Sequence, residues 1–254
     1  MEKNTVPIVI PHPLEPKNGG DEMVLGTTPP DEDLQTTLEG GLSLETTTEP
    51  LPKQKTYMTL PSSSYSSLMP YQAPQVKEVL KNCFQQPIHK IVDMTAHIGG
   101  DSILFAETFP EAKIVVIDND QNAIRCLLYN INNFSDPLRF TVICGNSVEW
   151  IEKPQTFMLA EADFYYLDCP WGGPRYYQKK EVHLTLDGTP LAEVVNTIFS
   201  LGLTKKVLVK VPRNFAYPSF KEMIKGTCKL FYIKKPLKNG SIAYGLVLVT
   251  SEKV

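Results

Sequence analysis

Long apolar runs are missing from this chain. No stretch of about 18 apolar residues occurs, so neither a membrane span nor a secretory leader is expected. Cysteine is scarce and scattered. Cys83, Cys126, Cys144, Cys169 and Cys228 form no Cys-x-x-Cys pair, and their odd number argues against a disulfide framework or a zinc site. Reduced thiols inside a cell, in nucleus or cytoplasm, are the expectation. The four histidines, His12, His89, His97 and His183, lack metal-ligand spacing, so no metal is expected. Gly-x-Gly-x-x-Gly is also missing, as is the Lys-Ser/Thr ending of a phosphate loop, which disfavours pyrophosphate binding.

Aromatic residues are few in positions 1–55, which are instead rich in Pro, Thr, Glu and Gly. Such a composition cannot bury enough apolar surface to offset the entropy of ordering. Residues 1–55 therefore read as a disordered acidic tail, a solvating extension or a docking arm for a protein partner. Ten acids against four lysines give residues 1–60 a net charge of −6 within a chain whose total is −3, leaving residues 61–254 at +3. A mildly basic folded part is compatible with a polyanionic partner.

What is present is alternation. Residues 56–86 read as an extension whose helix starts at Pro74 and carries Val76, Val79, Leu80, Cys83 and Phe84 on one face. From residue 87 onward, strands at 90–94, 114–118, 140–144, 164–167 and 207–211 alternate with helices. These helices are expected to begin at Asp101, to run through Ala123–Asn130, and to cover 147–151, 191–201 and 219–224. The last two strands, 229–233 and 242–249, form a hairpin through Asn239-Gly240. This pattern predicts an α/β fold, a doubly wound, mostly parallel sheet with an antiparallel C-terminal hairpin.

Polar residues gather where strands end. After the first strand comes Asp93-Met94-Thr95-Ala96-His97-Ile98-Gly99-Gly100, an acid and a glycine pair before a helix, which suits close backbone approach to a nucleoside. Asp118 ends the second strand, where a carboxylate can accept both hydroxyls of a ribose. Gly145-Asn146-Ser147 follows the third, with a side-chain amide for a base edge. Asp168-Cys169-Pro170-Trp171-Gly172-Gly173-Pro174 follows the fourth: a carboxylate, a flat ring and a tight turn, suited to gripping a planar base. The same seven residues could equally be a packed turn with its Trp in the core. Trp150 reads as core, and Cys169 as a small buried residue. The basic residues clustered between Arg175 and Lys238, Lys210 among them, are solvated surface by default, with their weight on the side that would receive RNA.

Three of these blocks resemble the class I S-adenosylmethionine-dependent methyltransferases, and within them the trimethylguanosine synthase family of RNA cap guanine-N2 methyltransferases. They are Asp93–Gly100, Asp168–Pro174 and Val211-Pro212-Arg213-Asn214, within a likeness spanning roughly residues 70–250. The resemblance implies a Rossmann-like methyltransferase domain over 87–254 and S-adenosyl-L-methionine as cofactor. It also implies 7-methylguanosine-capped RNA as substrate, and the chain is expected to be a monomer. Asp93, Thr95, His97, Gly99, Gly100, Asp118, Asn119, Asn146, Ser147 and Asp168 would then line the cofactor. Asp168, Pro170 and Trp171 would be catalytic, and Trp171, Arg213 and Asn214 would bind substrate.

Two departures from the family pattern keep other readings open. Asp168-Cys169 stands where the family has Ser-Pro, and Asp-x-Pro-Trp leans toward the adenine-N6 methyltransferases. His97 stands where the family has a glycine. If that turn cannot form, the chain is an inactive methyltransferase fold that binds RNA or a partner.

Overall fold

The computed structural model describes residues 8–9, 24–25, 56–61, 71–153, 159–236 and 240–251. Three two-residue strands come first, β1 (Ile8–Val9), β2 (Val24–Leu25) and β3 (Met58–Thr59), followed by α1 (Ala73–Cys83). The alternating part runs β4 (Lys90–Asp93), α2 (Gly100–Thr108), β5 (Lys113–Asp118), α3 (Gln121–Phe134), β6 (Phe140–Cys144), α4 (Ser147–Ile151) and β7 (Phe164–Leu167). A small hairpin, β8 (Thr185–Leu186) and β9 (Thr189–Pro190), precedes α5 (Leu191–Ser200) and β10 (Lys206–Pro212). The chain then forms α6 (Tyr217–Met223), β11 (Gly226–Lys234) and β12 (Ile242–Ser251).

Eight strands form one sheet in the order β1-β6-β5-β4-β7-β10-β12-β11. All neighbours are parallel until β12, which runs antiparallel to both β10 and β11. Chain order reverses on either side of β4, with β5 to one side and β7 to the other. Ligand crevices open at such a switch point, beyond the C-terminal ends of the strands.

Helices cover both faces, which is why the strands read as unbroken apolar runs. Residues alternate between two cores. Val92, Tyr165, Leu167, Val207 and Val209 join the core under α5 and α6, whereas Ile91, Phe164, Tyr166 and Leu208 join the one under α1, α2 and α3. Phe84 of the extension stacks on Phe164 with ring centroids 4.2 Å apart, docking α1 on the sheet. At the C-terminal end of α2, the Arg139 guanidinium donates to the carbonyls of Ala106, Phe109 and Ala112, which have no partner within the helix.

The tail expected over 1–55 lies outside the described residues apart from β1, which pairs with β6, and β2, which pairs with β3. Residues 237–239 of the C-terminal turn also lie outside them, and Gly240 has φ 58°. The segment after residue 55 is anchored. Tyr57 stacks on Phe134 at 3.9 Å, and buried Asn130 of α3 receives the Met58 N–H while donating to the carbonyls of Met58 and Ile98.

Candidate active site

β4 carries Asp93 to the floor of the crevice, where it is 1% exposed. The Thr95 N–H donates to one carboxyl oxygen at 3.0 Å and the Ser102 hydroxyl to the other at 2.5 Å. Burial pushes the Asp93 pKa up to about 7; these two hydrogen bonds oppose the rise, and the nearby Asp101 and Asp168 add to it. Thr95 also ties two strand ends together, its hydroxyl accepting the Asp168 N–H at 2.7 Å.

The glycine pair works through backbone and packing. Gly99 holds φ 92° and is the N-cap of α2, where a Cβ would run into the Leu127 side chain. Asp101 does not cap α2, contrary to the sequence expectation. It lies within the first turn, and its carboxylate faces the sheet. Ser147, expected on the cofactor, donates its hydroxyl to the Met94 carbonyl at 2.5 Å and so braces the Asp93 turn from behind.

His97 adopts φ 47°, so the left-handed conformation that a glycine would supply forms with histidine in place. Its N–H donates to Asp118 Oδ2 at 2.7 Å, and the Asp120 N–H donates to Oδ1 at 2.9 Å. Burial lowers the His97 pKa against the pull of Asp118, and burial raises that of Asp118 against these two N–H groups. Each Asp118 oxygen keeps a lone pair for a further donor. Asn146 caps α4, its Oδ1 receiving the N–H groups of Val148 and Glu149, which leaves the Nδ2 amine to donate. Asn119 reaches across to the hairpin between β8 and β9, with its amide 3.1 Å from Asp187 Oδ1.

Beside Asp168 lies a group that the composition of the sequence places on the surface. Lys210, counted there among surface lysines, is 4% exposed. Its Nζ donates to Asp168 Oδ2 at 2.8 Å and to Asp101 Oδ2 at 3.1 Å, and lies 5.2 Å from the centre of the Tyr244 ring. The Tyr166 hydroxyl donates to the same Asp101 oxygen at 2.9 Å. Burial pushes the Asp168 pKa up to about 6; Lys210 opposes the rise and Asp101 adds to it. The lysine stays charged, because two carboxylates outweigh its desolvation. The signal was legible in Val207-Leu208-Val209-Lys210-Val211, where Lys210 shares the face of Leu208.

Trp171 packs edge-on to Tyr176, with centroids 5.1 Å apart, and lies 6.5 Å from Tyr244. It is half-buried rather than a core residue. Its indole N–H is buried and lies toward the Asp168 carboxyl without reaching hydrogen-bond geometry. Gly172 and Gly173, at φ 92° and 75°, turn the chain away from it, and Pro170 is exposed. Arg213 is exposed at the end of β10. Asn214, expected to bind substrate, donates its amide to the carbonyls of Tyr176 and Lys179 and so anchors the loop behind Trp171.

A family model for RNA cap guanine-N2 methyltransferases matches residues 88–250, well over half of the chain. The protein belongs to that family. The ribosomal RNA small subunit methyltransferase H of Nostoc punctiforme is 28% identical over 127 residues, covering 47% of this chain and 42% of that protein. A SAM-dependent methyltransferase structure from Agrobacterium tumefaciens superposes with TM-score 0.52 at 13% identity, covering 73% of this chain and 64% of that one. The chain thus spans less than two thirds of the length of either relative.

The cofactor of the family and fold is S-adenosylmethionine, and the donor set of the crevice fits it. Asp93, Asp101 and Asp168 outnumber Lys210, the one buried cation among the described residues, which suits a ligand carrying an ammonium and a sulfonium charge. Asp118 has lone pairs for a ribose diol, and Asn146 has an amine to donate to a ring nitrogen.

Proposed function

We propose that the protein transfers a methyl group from S-adenosylmethionine to the exocyclic N2 of guanine in a 7-methylguanosine RNA cap. The observation that carries this reading is the half-buried Trp171, steadied by Tyr176 and Tyr244, beside a strand-end carboxylate, Asp168. A 7-methylguanine is a cationic aromatic ring, and Trp is its best stacking partner, contributing about 0.5–2 kcal/mol through cation–π attraction. The cofactor, when bound, supplies an electrophilic methyl group. The protein's part is to hold the amine in line and exclude competing poses, which is where proximity lowers the barrier. Asp168 accepts a hydrogen bond from the amine and steers its lone pair. Asn214 holds the loop behind Trp171, and exposed Arg213 is available for bidentate contact with cap phosphates.

Calorimetry with the Trp171→Ala variant tests this reading. Affinity for a 7-methylguanosine cap analogue is expected to fall several-fold more than affinity for unmethylated GTP. Equal losses for the two ligands would remove the support that Trp171 lends to the cap.

A further inference from the structure

Lys210 serves no packing need. It sits on a strand whose neighbours Leu208 and Val209 are fully buried, and an aliphatic side chain there would spare the molecule a buried charge. Instead the lysine is held by carboxylates from two other elements, Asp101 at the start of α2 and Asp168 at the end of β7, at 3.1 and 2.8 Å. The network is open at its carboxylates. The Lys210 side chain is 6% exposed, whereas those of Asp101 and Asp168 are 13% and 14% exposed; of the two, Asp168 is the one beside Trp171, so a base stacked on that ring meets the network through the Asp168 carboxylate. Tyr244, 4% exposed, has a buried hydroxyl with no hydrogen-bond partner among the described residues.

We propose that Lys210, bridging Asp101 and Asp168, is the positioning residue that selects the acceptor base, by holding Asp168 as an oriented anion that reads guanine and rejects adenine. The inference rests on the cap guanine-N2 reading and names how that specificity arises. Guanine presents two adjacent donors, N1–H and N2–H, to which a carboxylate can accept in parallel. Adenine presents one donor, N6–H, beside the lone pair of N1, which an anion repels. A protonated carboxyl has the opposite preference: its O–H donates to adenine N1 while its carbonyl accepts from N6–H. Burial drives Asp168 toward that protonated form, and Lys210 opposes the drift. One ammonium therefore decides which edge the same side chain recognises. The positive charge of a 7-methylguanine strengthens its N1–H as a donor, which favours the anionic form further.

The test compares affinities of the apoprotein for 7-methylguanosine triphosphate and 7-methylinosine triphosphate, which differ only in the N2 amine and share ring charge and stacking. The wild type is expected to prefer the guanosine analogue about tenfold. In Lys210→Met that ratio is expected to fall below about twofold, with affinity for the inosine analogue held within about threefold of wild type. Asp101→Asn/Lys210→Met removes one charge of each sign, so it relieves repulsion between the two buried carboxylates and is expected to show the same collapse if the single variant does not fold. A ratio is used because mere loosening of the site would weaken both ligands alike. Retention of the wild-type ratio in either folded variant overturns the role of Lys210 while leaving the cap reading intact. Equal wild-type affinities for the two 7-methyl ligands overturn it as well. Should the 7-methyl ligands bind no better than GTP, the cap reading itself fails.

Discussion

Asp93 is a carboxylic acid balanced near neutrality, and its chemistry can be titrated. Its pKa in the folded protein, about 7, lies above the ordinary carboxyl value of 3.8. The folded state therefore holds a proton that the unfolded chain has lost between these two values. The stability this group contributes is fully present below about pH 4 and is lost as pH rises through about 7. A cationic cofactor favours the anion, so S-adenosylmethionine binding is expected to release protons near pH 7 and to tighten as pH rises. Calorimetry in buffers of different ionisation enthalpy measures the release, and Asp93→Asn is expected to abolish it; an unchanged release in that variant would place the titrating group elsewhere. Asp168 is expected to impose a fall in kcat/KM below about pH 6, as its carboxylate protonates and stops accepting from the amine. Sequence showed both acids at strand ends because a carboxylate following an apolar run stands out. It did not show Lys210 as the partner of Asp168, since a lysine counted by composition looks solvated, and only the register of β10 turns it toward α2. His97 was ambiguous for a similar reason: whether a histidine accepts φ 47° depends on the N–H bond it makes to Asp118.

At the scale of elements, turns carry the site and helices hold the turns. Gly99→Ala would place a Cβ at φ 92° and against Leu127, and is expected to destabilise the protein by about 1–3 kcal/mol, read as a lower urea midpoint with an unchanged slope. Asn214→Ala releases the loop carrying Tyr176 and Lys179, so KM for capped RNA is expected to rise roughly tenfold with kcat little changed. A matching fall in kcat would instead mean that Asn214 acts in the transition state. Long elements were legible because apolar periodicity is strong in β5, α3, β10 and β12. The hairpin of β8 and β9 was missed because two residues per strand carry no period, although its tip, Asp187-Gly188, both at positive φ, is a dipeptide that favours a two-residue hairpin turn. The start of α2 was misread because an acid two residues before an apolar run has the look of an N-cap, whereas left-handed Gly99 takes that place and frees Asp101 to meet Lys210.

For the whole molecule, a reversal of strand order at β4 gathers Asp93, Asp118, Asn146 and Asp168 at one crevice, although 75 positions separate the first from the last. That convergence was readable in the sequence because each strand ends on a polar residue and parallel strands present their C-terminal ends together. The identity of the acceptor was less readable: Trp171 pointed to a cationic base and Asp168-Cys169 to adenine, and the role proposed for the buried Lys210 would separate the two physically. The direct test is mass analysis of nucleosides after incubating the full chain and S-adenosylmethionine with matched RNAs, one bearing a 7-methylguanosine cap and one uncapped. Methylation of the cap guanine at N2, with the uncapped RNA unmodified, is the expected result. Methyl groups found on adenine N6, in either RNA, would contradict it.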